Sequence, residues 1–262
     1  PLDVTATTSS TAAQKEYDIA SITDEVGKGS STTPYSNYYT SMYKEKVLYA
    51  GNRGAVVNQF TANASYIRQH RIAQVGLPLK NLDLKVIDCA MGNTFFILCG
   101  YTFATGSEDV QIQRTIKVYR LSSSQQWNNE KNILYDPSQT FAGQSVAAGD
   151  GLFFVGNPSE KSFRIYKENV AGNDWTASLN IVFGDKGEDS TSNGMGFGSY
   201  LAHKDGLLSV SAPTSIPNQD HVPDPPDNAG SVFLYQINID TVTGQVSADL
   251  IVGINAPGDY LQ

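Results

Sequence analysis

Glycoside hydrolysis needs two carboxyl groups facing each other across a cleft, roughly 5 to 10 Å apart, and Asp88, Glu108 and Asp109 are candidates for that role. No spacing ties them together, and an acidic chain offers many such residues. Asp150 and Asp205 recur at one position of two Asp-Gly turns. Left-handed turn geometry explains an Asp-Gly pair more simply than catalysis does. Asp185, Glu188 and Asp189 cluster around Gly187 as a calcium candidate. They lack the alternating aspartate run that packs oxygen ligands densely around that ion. His70, His203 and His221 are too scattered to make a metal site by spacing. The chain has no nucleophile elbow, phosphate loop, dinucleotide glycine run or paired Cys/His motif. Catalysis therefore has no support here beyond what a fold could host.

Binding is better represented. The stretches 101–114 and 213–230 read as long loops inside strand hairpins, and loops of that length bind something or form stiff excursions. Tyr101, Glu108 and Asp109 are the contact candidates in the first, and Asp220, His221, Asp224 and Asp227 in the second. Tyr66, Trp127 and Trp175 occupy one place in three sequence copies, just before a fourth strand. Recurring aromatics of this kind serve blade-to-blade packing, and a sugar-binding ring is the alternative. Asn63-Ala64-Ser65 matches the N-glycosylation acceptor pattern in an expected loop.

A repeat must position these residues. Phe141 to Lys167 reads as strand, Gly149-Asp150-Gly151 turn, strand, bend and strand, followed across a loop by Leu179 to Phe183. The same order recurs around Phe95, around Leu207, where Phe197 to Ala202 is the expected first strand, and more faintly around Val47. The copies are about 53 residues apart, within the range of propeller blades. An all-β propeller of four-stranded antiparallel blades is expected, with blades near 35–75, 84–135, 141–183 and 197–252. Residues 1–15 read as a flexible Ser/Thr-rich leader, and 16–262 as propeller. Residues 17–22 resemble the fourth strand of a further blade, because the stretch after them matches the one after Phe183. The expectation is a segment of a larger ring completed from outside, with a closed four-bladed ring as the rival.

The chain has 262 residues, 40% hydrophobic and 17% charged, with a formal net charge of -8. That charge, without a Lys/Arg cluster, argues against a nucleic-acid partner. No run of 18 apolar residues is present to span a bilayer, and the first residues lack the basic start and apolar core of a signal peptide. The Ser/Thr and Tyr/Asn richness leans toward an extracellular setting. If Gly92-Asn93 is a two-residue turn, Cys89 faces Phe96 and Cys99 faces Val86 on opposite sides of the sheet. Two free, buried thiols follow.

Gly196-Phe197-Gly198 followed by Ser211-Ala212-Pro213 resembles the FG-GAP repeat of integrin α-subunit propellers and related extracellular proteins. Phe141-Ala142-Gly143 with Gly156-Asn157-Pro158 is a looser copy, and Ala50-Gly51-Asn52 a fragment of one. The resemblance implies that Phe197, Gly198, Phe141 and Gly143 fix blade edges within a ring whose loops bind ligands and often calcium. The short turns at Asp150 and Asp205 replace the longer aspartate-rich calcium loops of that family. The resemblance implies adhesion, receptor binding or assembly at a cell surface, with a protein or carbohydrate partner or the rest of the propeller. A structural subunit and a carbohydrate-active propeller enzyme are the alternatives.

Overall fold

Alternation of β-branched and aromatic residues produces strands throughout, joined by tight turns at Lys44-Glu45, Asn93-Thr94 and Asp205-Gly206. The computed structural model describes residues 39–51, 54–62, 70–75, 79–80, 84–103, 111–134, 145–149, 151–169, 174–190, 192–216 and 230–255. Blade 1 comprises β1 (Tyr39–Tyr43), β2 (Lys46–Gly51), β3 (Gly54–Ala62), β4 (His70–Gln74) and a short β5 (Leu79–Lys80). Blade 2 is β6 (Lys85–Met91), β7 (Phe95–Phe103), β8 (Gln111–Leu121) and β9 (Trp127–Leu134). Blade 3 is β10 (Ser145–Ala148), β11 (Leu152–Asn157), β12 (Ser162–Glu168) and β13 (Trp175–Val182). Blade 4 is β14 (Leu201–Lys204), β15 (Leu207–Ala212), β16 (Ser231–Ile239) and β17 (Val246–Asn255).

Each blade is an antiparallel meander in chain order, with β5 extending blade 1 by pairing with the start of β3. The first strands β1, β6, β10 and β14 neighbour one another in sequence, so they form the inner layer of a four-bladed β-propeller. A 3-10 turn at Glu188–Ser190 is the only helical element among the described residues.

Blade 3 shows how the strand period becomes a core. Phe153, Val155 and Tyr166 point toward blade 2 and pack with Phe95, Ile97 and Val118. Leu152, Phe154, Phe163 and Ile165 point the other way and pack with Leu208, Val210, Phe233 and Tyr235 of blade 4. Both faces are covered, so β11 is buried at every position while its side chains still alternate between faces.

A β-bulge recurs between Val118 and Tyr119, Ile165 and Tyr166, and Leu234 and Tyr235. It places a tyrosine at one third-strand position of three blades. Tyr119 stacks on Phe96 and Tyr166 on Phe153, with ring centroids 5.1 and 4.6 Å apart.

Several sequence expectations are corrected. Residues 197–200 are not strand: Gly194, Gly196 and Gly198 have φ of 62, 76 and 91°, which interrupts an extended backbone, and β14 begins at Leu201. The turn of blade 2 lies one residue later than expected, with Gly92 N–H donating to Phe95 O at 2.9 Å. Met91 therefore pairs with Phe96, and Cys89 with Leu98. A shift that moves each pair by two residues in total preserves the faces. Cys89 lies in the core against blade 1 and Cys99 in the core against blade 3, both buried and neither in a disulfide. Tyr101 is not in a loop, because Tyr101-Thr102-Phe103 continues β7 and pairs with the start of β8. Trp127 and Trp175 are the first residues of their fourth strands rather than the last residues before them.

Candidate binding site at the inner hairpin ends

The inner hairpins of blades 1, 3 and 4 line an open pocket of about 530 Å³. Blade 1 contributes Met42, Tyr43 and Lys44, blade 3 contributes Ala148, Gly149 and Leu152, and blade 4 contributes His203, Lys204, Asp205, Gly206, Ile237 and Ile239. Three separate hairpins are thus held on one cavity by the blade packing beneath them. Leu152 and Ile237 are buried parts of its wall, while Ile239 is 40% exposed and Met42 67%. The volume suits a small ligand or a short segment of a partner.

Local chemistry fixes the rim. Asp205 and Gly206 have φ of 50 and 79°, the left-handed pair expected of an Asp-Gly hairpin turn. Lys44 stands in the same conformation at φ 51°, where Asn or Gly would be less strained. Its ammonium lies 5.0 Å from the centroid of the Tyr43 ring. Neighbouring Glu45 is turned aside, its carboxylate accepting a hydrogen bond from Gln59 Nε2 at 3.2 Å. The His203 ring lies 4.8 Å from the Phe154 ring and places Nδ1 3.3 Å from Ala148 O, bridging blades 4 and 3. Gly149 makes room for it, since a Cβ there would lie 2.4 Å from His203 Cε1.

Of the candidate carboxylates, Asp88, Asp185 and Glu188 serve the scaffold. Asp88 Oδ1 accepts from Cys89 N–H and Oδ2 from Val146 N–H, both at 2.8 Å, joining the inner strands of blades 2 and 3. Burial outweighs these donors and raises its carboxyl to about 6. Ser41 Oγ accepts from Met91 N–H at 2.9 Å between blades 1 and 2, and Ser145 Oγ donates at 3.2 Å to Gly198 O in the segment leading into β14, so each step from blade 1 to blade 4 has its own clasp. Ser41 and Ser145 were missed in the sequence, where a single serine in a strand has no pattern.

Glu188 is fully buried: Oε1 accepts from the Tyr235 hydroxyl, and Oε2 from Gly184 N–H and Lys186 N–H at 3.0 and 2.9 Å. Burial and the adjacent Glu188 carboxylate push the Tyr235 hydroxyl well above its usual range. Asp185 Oδ2 accepts from Val182 N–H at 2.9 Å, so the acidic stretch braces the end of β13. Asp189 is exposed and lies beside Gly184. Among the described residues no group of three or more His, Cys, Asp or Glu side chains is arranged to hold a metal.

Of the expected aromatic positions, Trp127 and Trp175 are packing residues. Trp175 is fully buried 4.5 Å from Phe95 of blade 2, and Trp127 donates its indole N–H to Val75 O of blade 1 at 3.1 Å. Neither is exposed for stacking on sugar. Tyr101 accepts from Arg114 Nε at 2.8 Å across its hairpin. Phe197 is buried among Phe163, Phe183, Phe233 and Tyr235, and Gly198 meets Gly156 so closely that a Cβ on Gly156 would lie 1.9 Å from Gly198 O. Asn63, Tyr66, Glu108, Asp109, Phe141, Gly143, Asp150, Asp220, His221, Asp224 and Asp227 lie outside the described residues, as do residues 1–38 with the expected leader and the strand 17–22.

No protein-family model matches the chain, and no curated protein sequence matches it. Among solved structures it is similar to Sqt1 of Saccharomyces cerevisiae, with 12% identity, 80% of this chain and 46% of that chain covered, and a TM-score of 0.41. It is also similar to Hsv2p of Kluyveromyces lactis (8% identity, 85% and 74% covered, TM-score 0.42) and to a chain of a nidogen/laminin complex (8%, 84% and 84%, 0.35). The chain thus spans about half the length of Sqt1. Likeness at this level carries no functional weight, and the propeller is read from the chain's own four blades.

Proposed function

We propose that this chain is a non-catalytic binding module that recruits or assembles a protein partner at the pocket formed by blades 1, 3 and 4. The observation that supports this is the convergence of three hairpins on one partly apolar cavity, while Asp88, Asp185 and Glu188 are engaged in holding the scaffold. A glycosidase needs two carboxyl groups facing one cleft, whereas the described pocket wall offers Asp205 alone. The setting we propose is extracellular or at a cell surface, as in FG-GAP propellers. The buried Phe197 and the Gly156–Gly198 contact between blades 3 and 4 support that reading, because they give the motif residues a blade-fixing role.

Photo-cross-linking tests the proposal. A benzoylphenylalanine introduced in place of Lys44 or Lys204 is expected to capture a discrete protein adduct in cells producing the chain, and one in place of Lys186, outside the pocket, is not. Equal labelling from all three positions, or none from any, contradicts it.

A further inference from the structure

We infer that β17 is an interaction edge whose partner is β17 of a second copy of this chain, the two strands pairing antiparallel about a two-fold axis at Gly253. This surface lies at the far end of β16 from Ile237 and Ile239 of the pocket, and its role is additional to the binding proposed there.

The outer strand of blade 4 differs from that of blade 2 in what it shows to solvent. Among the described residues β17 pairs with β16 alone and so ends its sheet as an edge strand. Sheets protect such edges with charged side chains, Pro or short length. Blade 2 follows that rule, since β9 carries Glu130 and Lys131, tied to Arg120 and Asp174. β17 does not. It is ten residues long, Asp249 is its single charged residue, and Ile251, Val252 and Ile254 near its end are 53, 41 and 58% exposed.

Single exposed aliphatic residues are ordinary on a surface, but these are contiguous. Val252 pairs with Leu234 and Ile254 with Val232, itself 41% exposed, so these four side chains share one face at the open edge of the sheet. Ile251 is the extra residue of the bulge beside Leu234 and Tyr235, and from Val252 onward the strand runs regularly.

The chemistry of the edge names its partner. It offers backbone groups and aliphatic side chains, with no charge from Leu250 to Ile254, so a strand that fits it is itself aliphatic and uncharged. β17 is such a strand. With Gly253 on the axis, Val252 of each copy lies beside Ile254 of the other, on the face that carries Val232, and exposed aliphatic side chains from both copies form one cluster. Asp249 then lies beyond the apolar pairing in both copies, whereas a parallel alignment in register would set the two carboxylates side by side. The net charge of -8 on each chain opposes association, but exposed charges beyond about 8 to 10 Å are largely screened at physiological salt. An edge contact of this kind is smaller than the standard interface of roughly 1,600 Å², so the dimer is reversible. Because the contact is isologous, pairing closes at two copies.

Sedimentation velocity is the test. The parent is expected to show a monomer–dimer equilibrium between about 1 and 100 μM, shifting toward dimer as salt rises. Val252→Lys/Ile254→Lys is expected to weaken dimerisation about tenfold or more with the melting temperature unchanged, while Val182→Lys, on β13 at a position 40% exposed, leaves it as in the parent. Ile254→Lys alone serves if the double variant unfolds. Oxidation of an equimolar mixture of Val252→Cys and Ile254→Cys chains is expected to give more cross-linked dimer than either variant alone, the native Cys89 and Cys99 being buried. A parent that stays monomeric up to about 100 μM, a dimer indifferent to the lysines, or cross-linking no greater in the mixture overturns the pairing. Slow amide exchange at Val252 and Ile254 in such a monomer overturns it in favour of another segment of this chain on the same edge. The pocket is untouched by any of these results, since its own cross-linking test uses other residues.

Discussion

Asp88 illustrates what burial does to a carboxylate that serves as a structural clasp. Its folded value near 6 lies above the ordinary 3.8, so the folded state holds the proton more tightly than the unfolded chain does. The resulting stability is fully present below the ordinary value and is lost as pH rises through about 6, amounting to about 3 kcal/mol. Thermal unfolding followed across that window should show a slope in the parent that Asp88→Asn lacks, and an unchanged slope would refute the assignment. At Tyr235 the expectation differs. Tyr235→Phe removes the hydroxyl that donates to the buried Glu188 carboxylate beside its Gly184 and Lys186 backbone donors, and should cost about 1 to 3 kcal/mol by urea unfolding. The Asp88 clasp was not legible in the sequence, since joining blades 2 and 3 depends on the bulge between Val86 and Asp88 and on Val146, far along the chain.

At the scale of elements, blade contacts are narrow where glycines meet. Gly156→Ala would drive a Cβ to within 1.9 Å of Gly198 O, which backbone cannot relieve, so blades 3 and 4 must separate. Gly187→Ala meets nothing within 4 Å and bears only the cost of its φ of 84°. Differential scanning calorimetry should therefore place the first far below the second, and similar melting temperatures would contradict the packing. Trp175→Ala, which empties the site between Phe95 and Phe153, is expected to cost about 3 to 5 kcal/mol. Strand order, the blade repeat and the Asp-Gly turn at 205 were legible because period-two patterning and turn chemistry are local. Residues 197–200 were misread as strand because the apolar Phe197 outweighed three flanking glycines. The third-strand tyrosines had a signal that went unused, the recurring Val118-Tyr119-Arg120, Ile165-Tyr166-Lys167 and Leu234-Tyr235-Gln236.

For the whole molecule, the pocket could not be read from sequence, because Met42, Leu152, Lys204 and Ile239 become neighbours only through the order of the blades. The long loops drew attention by length, whereas the cavity is built from the shortest turns. The proposed extracellular setting predicts that Asn63 carries glycan when the chain is made through a secretory route. Enzymatic deglycosylation should then lower the mass of the parent but not of Asn63→Gln, and an unshifted parent would count against that setting. The central claim, that blades 1 and 4 bring Lys44 and Lys204 to one ligand pocket, is tested most directly by a short amine-reactive cross-linker read by mass spectrometry. A Lys44–Lys204 link within the monomer, suppressed by saturating 8-anilinonaphthalene-1-sulfonate, is the predicted result; no such link, or one indifferent to the dye, would contradict it.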